Sequence, residues 1–449
     1  MCVIDWQLRE GEEIFELSKA DATVIDVKVD AGSLFEDYAK QLYEDRKVDA
    51  KTQQRLWRSQ YEPLKKAIEE GSGGPIVKVE YGAPNFEMLK NLQVNVGVFA
   101  TFKNHAMMKE VVGLLKDAVG NLKPRDTFMR DALAIDQQYR KDWLATEYDT
   151  AVRSARTATI WAKAQDTKRL YPNAEYIHTV SQHPDPGHEE FVGIIRPIDD
   201  PFWMTHWPPN RWRCKCSVRV TDKDTTDIPN GLPAIDPAFA FNPGKTGQAF
   251  DLEKTQYIKS VSAAEQPALI KQARKEVNKD IVRELPYKNE YTSKSGGKVD
   301  AHPLSFDNAD FTQALAVARS LANEGHDIKL LPDINDPLLR KELLPEGIKG
   351  NKNPAYLING KWVADLKTVN EPTQTAVHDA LANANRQCNN IILNVSASNT
   401  ISAADLKQYI KGKLNHKAYD SFDNVWVRYR GQWYFTNRED ILNGKWPTP

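Results

Sequence analysis

The stretch NPAYLINGKWVADLKTV, Asn353–Val369, decides the fold class of the last third of this 449-residue chain. Apolar residues alternate on both sides of Asn359-Gly360, a dipeptide that favours a tight hairpin turn. The stretch therefore predicts two short antiparallel strands. The second strand ends in the triplet DLK, and because strand side chains alternate, Asp365 and Lys367 are expected on the same face.

Helical and strand patterns alternate regularly on both sides of this hairpin. Helices are predicted at Asp310–Asn323, Thr373–Gln387 and Ala403–Leu414, strands at Ile328–Leu331 and Asn390–Val395, and a second hairpin at Val425–Phe435. Strands alternating with helices predict a small α/β domain with a mixed sheet over residues 308–449.

The preceding two thirds of the chain have a different character. Apolar residues at three- and four-residue spacing predict a mainly α-helical module over residues 1–250, with an irregular β region rich in Pro, Trp and Cys from about residue 171. Residues 251–307 are predicted to hold a charged helix up to Glu284 and an exposed linker, Tyr287–Pro303.

Composition narrows the class of protein. The chain is 41% hydrophobic and 27% charged with a formal net charge of -1, so it does not attract nucleic acid or membrane through a global field. No apolar run approaches the ~20 residues of a membrane span, and the start has acids where a signal peptide has lysines. Four cysteines are too few for a disulfide scaffold, which favours a reducing cytoplasm.

The DLK triplet can carry chemistry. A carboxylate at Asp365 can hold Mg²⁺, which prefers oxygen ligands, and Lys367 can neutralise the charge that builds on a phosphate in the transition state. Phosphodiester hydrolysis requires both functions. The triplet is common, however, and a surface salt bridge on an amphipathic strand is the competing interpretation.

The order of elements resembles the PD-(D/E)xK nuclease fold. More specifically, residues 308–445 resemble the carboxy-terminal toxin domains of contact-dependent growth inhibition systems. The motifs that carry this resemblance are GHDIKLLP (Gly325–Pro332), KGNKNPAYLINGKWVADLKT (Lys349–Thr368), NANRQCNNIILNV and VRYRGQWYFTNREDIL. The resemblance implies an RNase, with tRNA as the expected substrate and a cognate immunity protein as an expected partner.

Two departures from this family leave alternatives open. The chain has Ala355 where relatives tend to have Asp, and it lacks the glutamate that the preceding helix commonly carries. Three interpretations follow: another acid supplies the missing ligand, the domain is inactive, or it is a metal-independent RNase that uses general acid–base groups. The candidate acids are Asp333, Asp336 and Glu346, and the candidate metal-independent groups are Lys367, Thr368, His378 and Arg386.

Basic residues could form a phosphate-facing surface, with Trp426, Trp433 or Tyr434 stacking on bases. A solvated basic helix face explains the same spacing equally well. The candidate nucleic-acid contacts are Lys349, Lys352, Lys407, Lys411, Lys413 and Arg428.

The informative stretch of the amino-terminal module is RPIDDPFWMTHWPPNRWRCKCSV, Arg196–Val218. Its tryptophans are expected to pin the loop to the helices. The cysteines with His183, His188 and His206 invite a zinc interpretation, but zinc sites more often use C-x2-C spacing. Two alternating cysteines in a short strand, one of them buried, is the expected case.

This stretch resembles the Mu-type phage head morphogenesis family. The motif residues are Pro208, Pro209, Asn210, Cys214 and Cys216, and the resemblance extends over about residues 30–250. It implies a minor capsid component with portal and capsid proteins as partners, located in the virion head interior or the bacterial host cytoplasm, and it implies no catalysis. The combined prediction is a phage minor head protein that carries an RNase-like toxin domain. The alternative is a purely structural protein whose last domain only binds.

Overall fold

The computed structural model describes residues 31–178, 186–306, 308 and 310–447. The chain divides into two compact units, Met1–Ile281 and Val282–Pro449. Among the described residues, no helix is both long enough and apolar enough to cross a membrane. The mixed fold class predicted from sequence is confirmed, with helices dominating the first unit and a large sheet in the second.

Long helices build the first unit. They are α1 (Ala31–Asp45), α2 (Ala50–Ser72), α3 (Pro84–Gly113), α4 (Arg125–Gln137) and α5 (Leu144–Thr167), and a π-helical stretch, Gln138–Trp143, joins the last two. Asp49 caps the start of α2, and Gly73 ends that helix in the left-handed conformation. Their core is rich in fully buried aromatic side chains, including Phe35, Tyr61 and Phe99.

The Pro- and Trp-rich region forms a small antiparallel sheet in the order β2-β1-β3, with β1 at Asn173–Ile177, β2 at Ile195–Pro197 and β3 at Ser217–Thr221. Short helical turns, α6 (Pro186–Glu189) and α7 (Trp203–His206), lie between these strands. Trp203 and Trp207 are fully buried, and the Trp207 indole N–H donates to the Thr157 carbonyl of α5 at 3.0 Å. These two tryptophans pin the loop to the helices as expected, whereas Trp212 stays 37% exposed.

Both cysteines of the C-x-C pair are buried, so the expectation that only one is buried was wrong. Cys214 and Cys216 lie in the extended segment that precedes β3, with 3% and 6% of their surfaces exposed. Residues two apart in an extended chain point to the same side, and that side faces the small core around Trp203.

The first unit ends with two helices, α8 (Pro243–Thr246) and most of α9 (Gln266–Glu284).

The second unit is built on an eight-stranded mixed sheet in the order β11-β10-β9-β8-β7-β6-β5-β4. Its strands are β4 (Lys288–Thr292), β5 (Lys298–Ala301), β6 (Ile328–Leu330), β7 (Tyr356–Ile358), β8 (Trp362–Val369), β9 (Asn390–Val395), β10 (Asn424–Tyr429) and β11 (Gln432–Asn437). Its helices are α10 (Phe311–Asn323), α11 (Pro337–Leu343), α12 (Gln374–Asn385), α13 (Ala403–Leu414) and α14 (Arg438–Leu442).

Both faces of this sheet are covered. On one face α10 packs its apolar row on residues such as Ile328 and Ile358, and on the other α12 and α13 pack on residues such as Ile391 and Leu393. Every residue of β9 is buried, because this central strand has helices on both sides. The predicted hairpin turn is present, and Asn359 and Gly360 both adopt positive φ.

The prediction of an exposed linker before the α/β domain was wrong. Tyr287–Pro303 contains strands β4 and β5, which pair with each other, and β5 pairs with β6. The stretch is polar because β4 is the edge strand of the sheet, where one row of side chains faces water. Its apolar residues are few but sit at alternate positions, and Val299 and Ala301 are buried in the core. The α/β unit therefore includes residues that the sequence assigned to a tether.

Candidate active site

A cavity opens in the second unit where the pairing of β7 and β8 stops. The register of the two strands reaches the Tyr356–Ala364 pair, and β8 then continues to Val369 paired with β9. One edge of residues 365–369 is therefore not occupied by β7. A cavity of about 380 Å³ lies along this edge, and its walls include Asn353 and Ala355 of the preceding loop. The DLK triplet lies in this wall because strand pairing ends one residue before it.

Asp365 is the buried acid of the cavity, with 3% of its surface exposed. Burial raises its pKa to about 6, and this effect is partly opposed by Lys367. The Lys367 ammonium nitrogen lies 2.7 Å from Asp365 Oδ2, so the two groups form an ion pair. A buried carboxylate beside a cavity, with a raised pKa and one cationic partner, is a candidate for proton transfer or for binding a cation.

A second cavity of about 420 Å³ adjoins the same lysine. It is lined by the cations Lys352, Lys367 and Arg386 together with the amides Asn383 and Gln387. Gln387 also lines the cavity at Asp365, so the two spaces share Lys367 and Gln387. Three cations around one concave surface are chemically suited to contact a phosphate group.

Arg340 of α11 fixes the loop that carries Lys352. Its guanidinium donates to the carbonyl of Ile334 at 2.6 Å and to the carbonyl of Lys352, and it also donates to the side chain of Asn353. Arg340 is itself buried. Because a planar guanidinium holds several acceptors in fixed directions, this residue positions the loop between the two cavities. Nothing in the sequence pattern distinguished Arg340 from a surface arginine.

None of the acids considered as replacements for the missing ligand is among the residues that line the cavity at Asp365. Asp336 caps α11, Asp333 accepts from the Asn353 side chain, and Glu346 is exposed. The described residues hold no group of three His, Cys, Asp or Glu side chains at Asp365 that would suit a metal ion. Instead, Asp310 lines the same cavity. The sequence placed Asp310 only near the end of a helix, and no local pattern links it to a strand 55 positions later.

The remaining predicted groups separate into two places. Thr368 lines the cavity at Asp365, and Arg386 lines the cation-rich cavity. His378 lines neither of the two, because it is half buried between α12 and α13 with its Nε2 3.1 Å from the Tyr409 carbonyl oxygen. The metal-independent set is therefore not brought together as a whole.

The predicted nucleic-acid contacts are also dispersed. Lys352 lines a cavity, whereas Lys349 is held by Asn385 and Ser421 through its ammonium group. The α13 lysines line neither cavity: Lys407 lies over the Trp446 ring, and Lys413 lies over the Tyr419 ring. Lys411 is exposed on the same helix, and Arg428 is half buried in β10.

Each of the two units contains a segment that matches the model of a known protein family. Residues 113–219 match the family model described as Phage Mu protein F like protein. Residues 352–432 match the model described as Contact-dependent growth inhibition CdiA C-terminal domain. The chain thus joins a Mu protein F-like segment to a CdiA C-terminal-like segment, as the two sets of sequence motifs predicted.

The first segment contains the Pro208-Pro209-Asn210 motif, and the second contains Asp365 and Lys367. A similar curated protein is the "Putative capsid assembly protein F" of Escherichia phage Mu, which is 38% identical over 77 residues. That region is 17% of this chain and 18% of the Mu protein, so the chain spans less than a fifth of that relative's length. No solved structure matches this chain significantly.

Proposed function

We propose that this protein is a phage minor head protein whose second unit is an endoribonuclease toxin. The observation that carries the proposal is the position of Asp365 and Lys367, which lie in the wall of a polar cavity inside the CdiA C-terminal-like segment. The Mu protein F-like segment on the same chain supports a role in the head, with portal and capsid proteins as partners of the first unit. The protein would lie in the virion head and act in the host cytoplasm.

The chemistry proposed for the second unit is hydrolysis of an RNA phosphodiester, with tRNA as the substrate. Water attacks the phosphorus and forms a new P–O bond, the P–O ester bond to the leaving oxygen breaks, and the leaving oxygen takes up a proton from solvent. The Lys367 ammonium would stabilise the charge that develops on the non-bridging oxygens. With a pKa of about 6, Asp365 is largely ionised at neutral pH and is able to accept a proton from the attacking water.

The oxygen-rich donor set of the cavity also fits Mg²⁺. The carboxylates of Asp365 and Asp310 line the same cavity, and Asp365 also pairs with the Lys367 ammonium. Mg²⁺ keeps several waters and is commonly held by one or two carboxylates, so these two residues would hold it. The ion would supply Lewis-acid polarisation of the phosphate.

The RNA backbone would approach from the cation-rich cavity. Lys352 and Arg386 lie beside Lys367 there, and a bound phosphate would receive charge-assisted hydrogen bonds from them. The α13 lysines would contact phosphates farther along the substrate, where they add affinity rather than chemistry. A cognate immunity protein would protect the producing cell by covering the same acidic and basic groups.

A structural role for the second unit is the competing function, and Ala355 favours it. This residue lines the cavity at the position where the resemblance to the toxin domains implies a second acid, and fewer anionic ligands weaken Mg²⁺ binding. The unit would then retain its cationic surface and bind RNA or a head protein without cutting it.

The test uses the full-length protein with total tRNA, in Mg²⁺ and in chelator. We expect cleavage in Mg²⁺ and a loss of about 10²-fold or more in Asp365→Asn and in Lys367→Met. Lys341→Met, which removes an exposed lysine of α11, is the matched control and should cleave normally.

Three results would change the assignment. Cleavage that appears only in Ala355→Asp would identify a toxin that has lost its second acid. Cleavage in chelator that survives Asp365→Asn would exclude Asp365 and favour metal-independent chemistry. If no variant cleaves tRNA, other RNA or DNA, the structural function is the better account.

A further inference from the structure

Two sulfur atoms and one imidazole nitrogen converge in the core of the Pro- and Trp-rich region. His188 Nδ1 lies 3.5 Å from Cys214 Sγ and 3.7 Å from Cys216 Sγ, and all three ligand atoms lie within 4.8 Å of one another. Each of the three residues is at least nine-tenths buried. Among the described residues, this is the group of His, Cys and acidic side chains that could hold a metal ion. The cluster lies in the first unit and has no part in the chemistry proposed for the second.

The spacing of the cysteines does not prevent chelation. The sequence argument against zinc was that zinc sites more often use C-x2-C spacing and that the two cysteines alternate in a short strand, but Cys214 and Cys216 precede β3 and are not in a regular strand. Arg213, just before them, adopts a positive φ of 58°, which turns the chain before the extended segment. Both sulfur atoms then face α6, which carries His188.

A single imidazole nitrogen of His188 faces both thiols. A single imidazole Nδ1 either donates one proton or accepts one, so it forms a full hydrogen bond with one thiol and not with two.

The distances agree with tetrahedral coordination. With Zn–S of about 2.3 Å and Zn–N of about 2.05 Å at a tetrahedral angle, the expected separation of S and N is about 3.6 Å. The two observed separations, 3.5 Å and 3.7 Å, lie on either side of this value. We propose that His188, Cys214 and Cys216 form a zinc site, with its fourth position taken by another ligand.

Such a site has a structural purpose here. The three-stranded sheet β2-β1-β3 is small, and the segments that carry the three ligands are a one-turn helix and an irregular stretch. A metal bond between these two segments would add stability to that of the aromatic core around Trp203 and Trp207. Zinc would fasten α6 to the segment that follows the Pro208-Pro209-Asn210 motif. Asn210 already links this segment to β1, because the Tyr176 hydroxyl donates to its side-chain oxygen at 2.9 Å.

The first experiment measures metal in the full-length protein purified without chelator. We expect about one zinc ion per chain in the unmodified protein and a large loss in Cys214→Ser and His188→Ala. Two matched variants should keep the metal. His206→Gln changes a histidine that stacks on Phe202 nearby, and Cys388→Ser changes a buried cysteine of the second unit.

A second measurement remains informative if the ligand variants fail to fold. The unmodified protein is stripped under mild conditions and loaded with Co²⁺, whose absorption reports both tetrahedral geometry and thiolate ligation. We expect intense visible bands and a sulfur-to-cobalt charge-transfer band, together with a lower melting temperature after stripping. If the protein is isolated without metal, gives octahedral cobalt spectra and melts at the same temperature with and without zinc, the proposal is wrong. A Cys214–Cys216 disulfide found by mass spectrometry would also overturn it.

Discussion

Replacing Asp365 with asparagine should stabilise the second unit at neutral and alkaline pH. The carboxyl is buried, and its pKa is raised from 3.8 to about 6, mainly because burial penalises the charged form. A group whose pKa is raised by folding contributes stability below its unfolded value and loses that contribution as the pH rises through its folded value. The native protein therefore loses stability as the pH rises from 3.8 to about 6, and this loss stays constant at higher pH, whereas the amide of the variant stays neutral.

The size of the stability difference follows from the shift in the pKa of Asp365. A change of about 2.2 pKa units corresponds to about 3 kcal/mol at pH 8, and the same relation gives about 1.5 kcal/mol at pH 5. The stability advantage of Asp365→Asn over the unmodified protein should therefore grow by about 1.5 kcal/mol over this range. The advantage should be smallest in acid, where the carboxyl is protonated in both the folded and the unfolded states.

Hydrogen exchange of the β8 amides in the full-length protein is the suitable assay, because it reports the opening of this strand separately from unfolding of the first unit. Asp379→Asn, which changes an acid of α12 that is largely accessible to solvent, is the control and should leave the opening free energy unaltered. An advantage that is absent, or that does not change with pH, would refute the reasoning. It would mean that the ionised carboxylate is fully compensated in the native state.

The other predictions concern activity and the first unit. Cleavage by the unmodified protein should fall about tenfold per pH unit below about pH 6 if ionised Asp365 is required, and a pH–rate profile of kcat/KM checks this. In Gly71→Ala the new Cβ would lie 2.1 Å from a backbone carbonyl oxygen of α5, so urea unfolding should show a loss of about 1–3 kcal/mol. Gly113→Ala adds a methyl group that meets no atom within 4 Å and should be neutral or stabilising by up to about 1 kcal/mol; equal losses in both variants would contradict the packing argument. Lys103→Met leaves the Glu147 carboxylate buried without its ammonium partner and should cost about 3–5 kcal/mol, whereas Lys103→Met combined with Glu147→Leu should recover most of it. A double variant as unstable as the single one would show that the pair itself stabilises the fold.

Local patterns were sufficient for most elements of the second unit. The Asn359-Gly360 turn, the apolar run of β9 and the helical spacing of α10 and α12 each have a physical cause within a few residues. The edge hairpin β4–β5 was not predicted, because the contacts that bury it are not local in the sequence. Its apolar residues are few, and their burial depends on pairing with β6, which lies about 30 positions further along the chain.

The sequence by itself determined that Asp365 and Lys367 share a face, because strand alternation is a local property. It also determined the two family resemblances, which rest on motifs that can be read directly along the chain. Tertiary structure decided what surrounds Asp365 and Lys367. The pairing of β7 stops at Ala364, and Asp310 lies in the wall of the cavity beside the unpaired edge. Tertiary structure likewise brought His188 to the two cysteines across a gap of 26 positions. Contacts between distant residues depend on how elements pack and on burial, and these quantities have no local period in the sequence.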